Sequence, residues 1–220
     1  CGASYGNLTI DNLDCDSFSF DTLQWTIQPK QPGLDQNGVA NGTICGYNPL
    51  TGEIWARPNS NRPLNKFNFP DTGTVGQWTQ YAESSSVYLG NGCFDYKRNR
   101  LIMMGSSLGQ QFKYWDVSTP NAQPVTITTT GAAGGQAMES RVGPGLIYDP
   151  VGDRYIGWDG GATLYVLDPV TWVWSTMTMT GFTPGAPNAY GSYGRFAYSP
   201  RLRGVMCVSA TNQNVWFCRL

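Results

Sequence analysis

The 220-residue sequence predicts an all-β domain made of one repeated unit, and three observations carry that prediction. Four segments align on a tyrosine followed by a short turn. They are GTICGYNPLTGEIW at Tyr47, NGCFDYKRNRLIMM at Tyr96, GPGLIYDPVGDRYI at Tyr148 and YGRFAYSPRLRGVM at Tyr198, at intervals of 49, 52 and 50 residues. The runs flanking each turn alternate and favour Val, Ile, Tyr and Trp, as strands do. Apolar residues at helical spacing are missing throughout.

Each copy reads as four strands in order. Asn48-Pro49, Asp149-Pro150 and Ser199-Pro200 mark the turn between the first two, because proline presets φ and Asn, Asp and Ser cap turns through their side chains. Third strands follow as NKFNF, FKYWDV, LYVLD and NVWFCRL, and fourth strands as QWTQY at Trp78, VTITTT, and VWSTMTM at Trp174. Asp149 and Asp168 are turn formers, and Met103, Met104, Met177 and Met179 fall in strand runs as core residues. A four-stranded unit repeating every ~50 residues is the signature of a β-propeller blade. One blade cannot bury both of its faces, so blades stack radially. The expected architecture is therefore a β-propeller of four-stranded antiparallel blades over residues 17–220, with blades centred near 47, 96, 148 and 198 and an N-terminal extension at 1–16.

The ends leave two arrangements open. The last copy stops after its third strand, and SFDTLQWTIQP, with Trp25, reads as a stray outer strand. Residues 17–28 either complete the last blade and close a four-bladed ring, removing an exposed edge, or are the leftover outer strands of an earlier blade in a larger propeller. Trp25, Trp78 and Trp174 each begin an outer strand, and each is expected to pack between neighbouring blades as a large apolar filler.

The copy at Tyr148 resembles a kelch repeat. Gly160-Gly161 follows its second strand, Tyr165 lies in its third, and DPVTWVW ends on Trp174 where the kelch tryptophan belongs. The other copies keep the tyrosine and strand pattern but lack the Gly-Gly pair, and the copy at Tyr96 also lacks the tryptophan. Residues 17–220 therefore resemble a degenerate kelch-like, galactose-oxidase-type β-propeller. The resemblance implies a fold and no particular activity, because propellers host many.

Composition narrows the chemistry. Charged residues make up 13% and the net charge is −1, so there is no basic stripe for nucleic acid and no lysine cluster for an anionic membrane. No apolar run approaches the ~18 residues of a spanning helix. There is no histidine, which excludes a Ser-His-Asp or Cys-His site and removes the commonest zinc and copper ligand. No cofactor and no metal site are expected.

The six cysteines form no C-x-x-C motif, so they read as a disulfide framework in an oxidising compartment. Cys207 and Cys218 flank SATNQN and are expected to bridge across a hairpin. Cys45 and Cys93 lie on innermost strands of adjacent blades and are expected to pair, which leaves Cys1 with Cys15. The expected location is extracellular or in the cell envelope. A chain beginning Cys1-Gly2 is compatible with a processed lipoprotein and equally with a trimmed sequence. Asn7 and Asn41 each start an N-glycosylation sequon, relevant in a eukaryotic host.

The loops entering the innermost strands should gather around one central mouth. They hold Glu83, Glu139, Arg141, Arg195, Tyr190, Tyr193, Asp35 and Asn37, the candidate ligand-binding set. Carboxylates, guanidinium groups, amides and aromatic faces suit a sugar or a polar peptide. The competing reading is that Glu139 pairs with Arg141 and the tyrosines pack. Glu83 and Glu139 would make a glycosidase pair if suitably separated, but the S-x-D-x-G-x-T-W turns of sialidase propellers are missing. The expected function is thus a non-catalytic extracellular module binding carbohydrate or another polar surface ligand. The alternative is a structural or interaction subunit of an extracellular or virion assembly, capable of self-assembly.

Overall fold

The computed structural model describes residues 15–19, 21–29, 44–58, 62–69, 75–82, 89–119, 121, 123–181, 183–187, 189, 191–209 and 214–220. The chain is a β-propeller of four antiparallel blades. The first contains β3 (Ile44–Asn48), β4 (Glu53–Arg57), β5 (Leu64–Asn68) and β6 (Gln77–Tyr81); before it, β1 (Cys15–Ser19) and β2 (Gln24–Gln28) form a hairpin. The second blade contains β7 (Asn91–Asp95), β8 (Arg100–Met104), β9 (Phe112–Asp116) and β10 (Val125–Thr126). In the third, β12 (Gly145–Asp149), β13 (Arg154–Trp158), β14 (Thr163–Leu167) and β15 (Val173–Thr178) are joined at the rim by a short parallel strand, β11 (Thr130–Gly131). Among the described residues the fourth has three strands, β16 (Phe196–Ser199), β17 (Gly204–Cys207) and β18 (Trp216–Arg219).

The inner strands stack in sequence, β3 on β7, β7 on β12 and β12 on β16. Glycine permits the close approach: a Cβ on Gly46 would lie 2.8 Å from the Cβ of Phe94 on the next blade. Three apolar layers fill the spaces between blades. Ile44, Trp55 and Leu64 meet Phe94, Leu101, Met103 and Trp115. Ile102, Met104 and Phe112 meet Leu146, Tyr155, Leu167 and Trp174. Ile147, Ile156, Trp158 and Leu164 meet Phe196, Val205 and Cys207. Each buried large apolar side chain contributes roughly 1.5–3 kcal/mol, so these layers hold the blades together. The four methionines read as core pack inward: Met103 and Met104 are fully buried, and the partly buried Met177 and Met179 pack on the third layer.

The differences from expectation have specific causes. A six-residue helix, α1 (Ala133–Met138), interrupts the loop entering the third blade. Residues 17–28 do not complete the last blade. Their hairpin stands apart as a two-stranded sheet, tied to the first blade where Gly76 N donates to Gln28 Oε1 (2.8 Å) and Trp78 Nε1 to the Pro29 carbonyl (2.9 Å). Trp25 is consequently 71% exposed, because its sheet is not the rim of a complete blade. Trp78 packs on Phe67 with centroids 4.9 Å apart, and Trp174 is buried between blades.

Tyr96 is also out of register. The inner-strand residues that pair across the first turn are Asn48 with Glu53, Asp95 with Arg100, Asp149 with Arg154 and Ser199 with Gly204. Tyr47, Tyr148 and Tyr198 therefore correspond to Phe94. Tyr96 lies in the turn, edge-on to Tyr148 of the next blade at 5.6 Å.

The cysteine pairings are corrected as well. Cys45, Cys93, Cys207 and Cys218 are all thiols. In the last hairpin Cys207 pairs with Trp216 and Cys218 with Val205, a register centred between positions 211 and 212, from which Cys218 lies two residues further than Cys207. That leaves the cysteines diagonal neighbours, ~7–8 Å apart, beyond the usual reach of a disulfide. Cys93 alternates with Phe94, which faces the first blade, so Cys93 turns toward the third. Cys45 alternates with Ile44, which faces the second blade, and turns away from it. Burial raises the Cys93, Cys207 and Cys218 thiols, that of Cys93 furthest. Cys1, Asn7 and Asn41 lie outside the described residues, as does the side chain of Cys15.

Candidate functional site

Antiparallel blades sort their connections onto two faces. Loops entering inner strands, and those between second and third strands, share a loop face. The remaining hairpin turns share a turn face.

On the loop face, the entries to β7, β12 and β16 are knotted together. The Leu89 carbonyl accepts from Gly143 N (2.9 Å), and the Gly143 carbonyl accepts from Ser192 N (2.6 Å) and Tyr193 N (3.0 Å). Asn91 Nδ2 donates to the carbonyls of Pro144 (2.8 Å) and Tyr193 (3.3 Å). Gly143 has φ +52°, and the Tyr193 ring occupies the space that a Cβ there would need. The predicted convergence of entry loops is therefore present for three blades.

The candidate residues fare differently within it. Arg141 is 64% exposed and its Nε lies 3.2 Å from Asp159 Oδ2, so its partner is Asp159 rather than Glu139. Burial raises the Asp159 pKa, with Arg141 opposing. Tyr193 is half-buried against Gly143. Arg195 is half-buried, and its Nη2 donates to the Gly191 carbonyl (3.1 Å). Glu83, Tyr190, Asp35 and Asn37 lie outside the described residues.

Glu139 is a correction: it is 1% exposed. Its carboxylate accepts from Thr129 Oγ1, from Trp174 Nε1 (2.9 Å) and from Gln110 Nε2 (2.8 Å), while its carbonyl accepts from Gln111 N (2.8 Å). Three hydrogen-bond donors replace the water a buried carboxylate would otherwise need. Glu139 bolts the third blade's outer strand to the second blade's loop and is placed to hold structure.

The turn face carries a network that inspection of the sequence missed. Arg98 Nη1 donates to Asp95 Oδ2 (2.9 Å) and Asp153 Oδ1 (2.9 Å), and Nη2 to Asp153 Oδ2 (2.8 Å). Tyr155 OH donates to Asp95 (2.7 Å) and Tyr148 OH to Asp153 (2.7 Å). Hydrogen bonds from Arg98 pull the Asp153 pKa down to about 2. Burial, then the neighbouring carboxylates, push both phenols up. The available signal was the turn itself: Asp95 and Asp149 each accept backbone N–H bonds two and three residues on. Among the described residues no group of three or more Cys, Asp or Glu is placed to hold a metal ion.

No protein-family profile and no curated relative match the sequence. Solved structures share the fold. A chain of a nidogen/laminin complex matches at TM-score 0.55 and 11% identity, over 84% of this chain and 61% of its own. A protein of unknown function from Bacteroides thetaiotaomicron matches at TM-score 0.55 and 15% identity, over 89% and 50%. An auxiliary nutrient binding protein from Bacteroides ovatus matches at TM-score 0.50 and 13% identity, over 91% and 57%. The chain thus spans half to three-fifths of the length of these structures. At such identities the likeness is one of fold alone.

Proposed function

We propose that this chain is a non-catalytic binding module that takes a polar ligand, carbohydrate foremost, on its loop face outside the cytoplasm. The carrying observation is the knot among three entry loops, which holds a rigid rim bearing the Arg141–Asp159 pair. A pre-ordered site loses little entropy on binding. A guanidinium beside a carboxylate offers donors and acceptors in the spacing that neighbouring hydroxyls use. The burial of Glu139 weighs against the glycosidase reading, since one member of its pair is already fully hydrogen-bonded. A glycan array followed by calorimetry tests the proposal. Binding is expected to a defined glycan, and Arg141→Ala or Asp159→Asn should weaken it about tenfold, as loss of a charged hydrogen bond does. Absence of any glycan binding, or binding indifferent to both variants, rejects it.

A second reading, as an interaction or self-assembling subunit, is favoured by the far side of the last blade. Met206 and Phe217 pair directly across β17 and β18 and are 37% and 46% exposed. Beside them the outer edge of β18 has no partner strand among the described residues. Light scattering across a concentration series tests this reading: a larger species abolished by Phe217→Ser supports it, and a monomer throughout rejects self-assembly.

A further inference from the structure

The turn face holds a feature independent of the loop face. A cleft of about 510 Å³ opens between the third and fourth blades. It is lined by Arg154, Arg203, Arg219, the Tyr198 side chain and Asp149. We propose that this cleft binds an oxyanion of the phosphate or sulfate type.

Charge is the first argument. Asp149 is buried, and its carboxylate is taken by Arg154 Nε (2.9 Å) and by the backbone N–H groups of Val151 (3.1 Å) and Gly152 (3.2 Å). Arg203 and Arg219 have no ion pair among the described residues. Arg203 and Arg219, outside any ion pair among the described residues, thus line one concavity together with Asp149, Arg154 and Leu220, in a chain whose net charge is −1. Two such positive charges match a dianion, and the arginine fork matches its oxygens bidentately.

The repeat supplies the second argument, because it shows what this junction lacks. Counting from the last inner-strand residue of each blade, the third turn residue is Thr51, Arg98, Gly152 or Leu202, and the fourth is Gly52, Asn99, Asp153 or Arg203. Between the second and third blades the third-position Arg98 closes on the fourth-position Asp153 and seals the gap. Between the third and fourth blades those positions are Gly152 and Arg203: the bridging cation is gone and the receiving carboxylate has become a cation. The cleft occupies that vacated place. Arg203 shares the positive φ of the fourth turn residue in every blade (+51°, against +72° at Gly52, +49° at Asn99 and +50° at Asp153), so the turn displays its side chain at the position Asp153 holds one junction earlier.

Calorimetric titration with inorganic sulfate and inorganic phosphate, against sodium chloride at matched ionic strength, tests the proposal. Saturable binding of either oxyanion and none of chloride is expected. Arg203→Gly, which suits the turn and so leaves the fold intact, should weaken binding about tenfold, as should Arg219→Gln. Absence of saturable oxyanion binding, equal binding of chloride, or full binding by the double variant overturns it. A sulfated disaccharide and phosphoserine distinguish the carriers: whichever binds more tightly than its inorganic ion identifies the source of the group.

Discussion

The junction between the second and third blades is sealed at both faces, whereas the junction between the third and fourth is held by its apolar layer and by the Gly143 hydrogen bonds to Ser192 and Tyr193 on the loop face and is unsealed on the turn face. At the former, Glu139 joins Gln110 and Thr129 to Trp174 on the loop face, and Arg98 clamps Asp95 and Asp153 on the turn face. At the latter the turn face opens into the arginine-lined cleft. The hairpins themselves are alike. Each begins at Asn, Asp or Ser and places its fourth turn residue at positive φ, in Gly52, Asn99, Asp153 and Arg203, the geometry of a type I turn followed by a left-handed residue. Backbone geometry is thus held by the turn, and the side chains it displays are free to lock one junction and leave the next available.

The largest expected effect is at the centre of the sealed junction. Trp174→Ala empties a site that is 2% exposed, packed near Phe112, and removes a donor to Glu139. A loss of about 3–5 kcal/mol is expected from the cavity, measured by denaturant unfolding. Trp25→Ala, at 71% exposure, should change stability by less than about 0.5 kcal/mol. Equal losses at the two tryptophans would mean that the blades are not held by the layer described.

Glu139→Ala comes next. It leaves the Trp174, Thr129 and Gln110 donors without their acceptor inside the protein, for an expected loss of about 1–3 kcal/mol. An effect below half a kilocalorie would mean that solvent reaches the site and the junction is open there too. This prediction reverses the one that sequence alone suggests. A glutamate followed by serine in a glycine-flanked loop looks like a surface residue. What buries it is the meeting of Gln110 from one loop, Thr129 beside the rim strand and Trp174 from another strand, which no local pattern records.

The same distinction runs through the rest of the molecule. The strands, their order and the proline turns were legible because alternation and turn chemistry are local. The tyrosine repeat misled at Tyr96, because an aromatic residue was given the weight that belongs to the turn-starting Asp95. The Cys207–Cys218 bridge was misread because the two residues are not symmetric about SATNQN: one residue lies between Cys207 and that segment and three lie between it and Cys218, so the register centred there sets Cys207 against Trp216 and leaves the cysteines on one face but apart. The arginine cleft was illegible because Arg154, Arg203 and Arg219 come from three strands or turns that meet only once the third and fourth blades pack.

Acid probes the turn-face clamp. Asp153 is held at about 2, below its ordinary 3.8, by hydrogen bonds from Arg98. A carboxylate depressed in the folded state stabilises fully above pH ~4, and that contribution is lost as the pH falls toward ~2. The Asp153 side chain is 38% exposed, so solvent screening limits the effect to about 1 kcal/mol or less. Melting temperature against pH should fall less steeply from ~4 to ~2 in Asp153→Asn than in the native chain. Parallel curves would remove the clamp from the comparison.

The smallest effect carries the most about the open junction. Arg203 adopts φ +51°, and a side chain in the left-handed region costs ~1–2 kcal/mol relative to the right-handed one. Glycine escapes that strain but loses more chain entropy on folding, ~0.5–1 kcal/mol. Arg203→Gly should therefore leave stability unchanged or raise it by up to about 1 kcal/mol in oxyanion-free buffer. With sulfate present the order should invert, because ligand binding stabilises the folded state by RT ln(1 + [L]/Kd), and the glycine variant binds less. Thermal melts of both proteins with and without sulfate give the four values required. A crossing of the two orders ties the strain at Arg203 to the ligand. If Arg203→Gly is destabilising in plain buffer, the arginine is holding the turn, and the difference between the two junctions is one of packing alone.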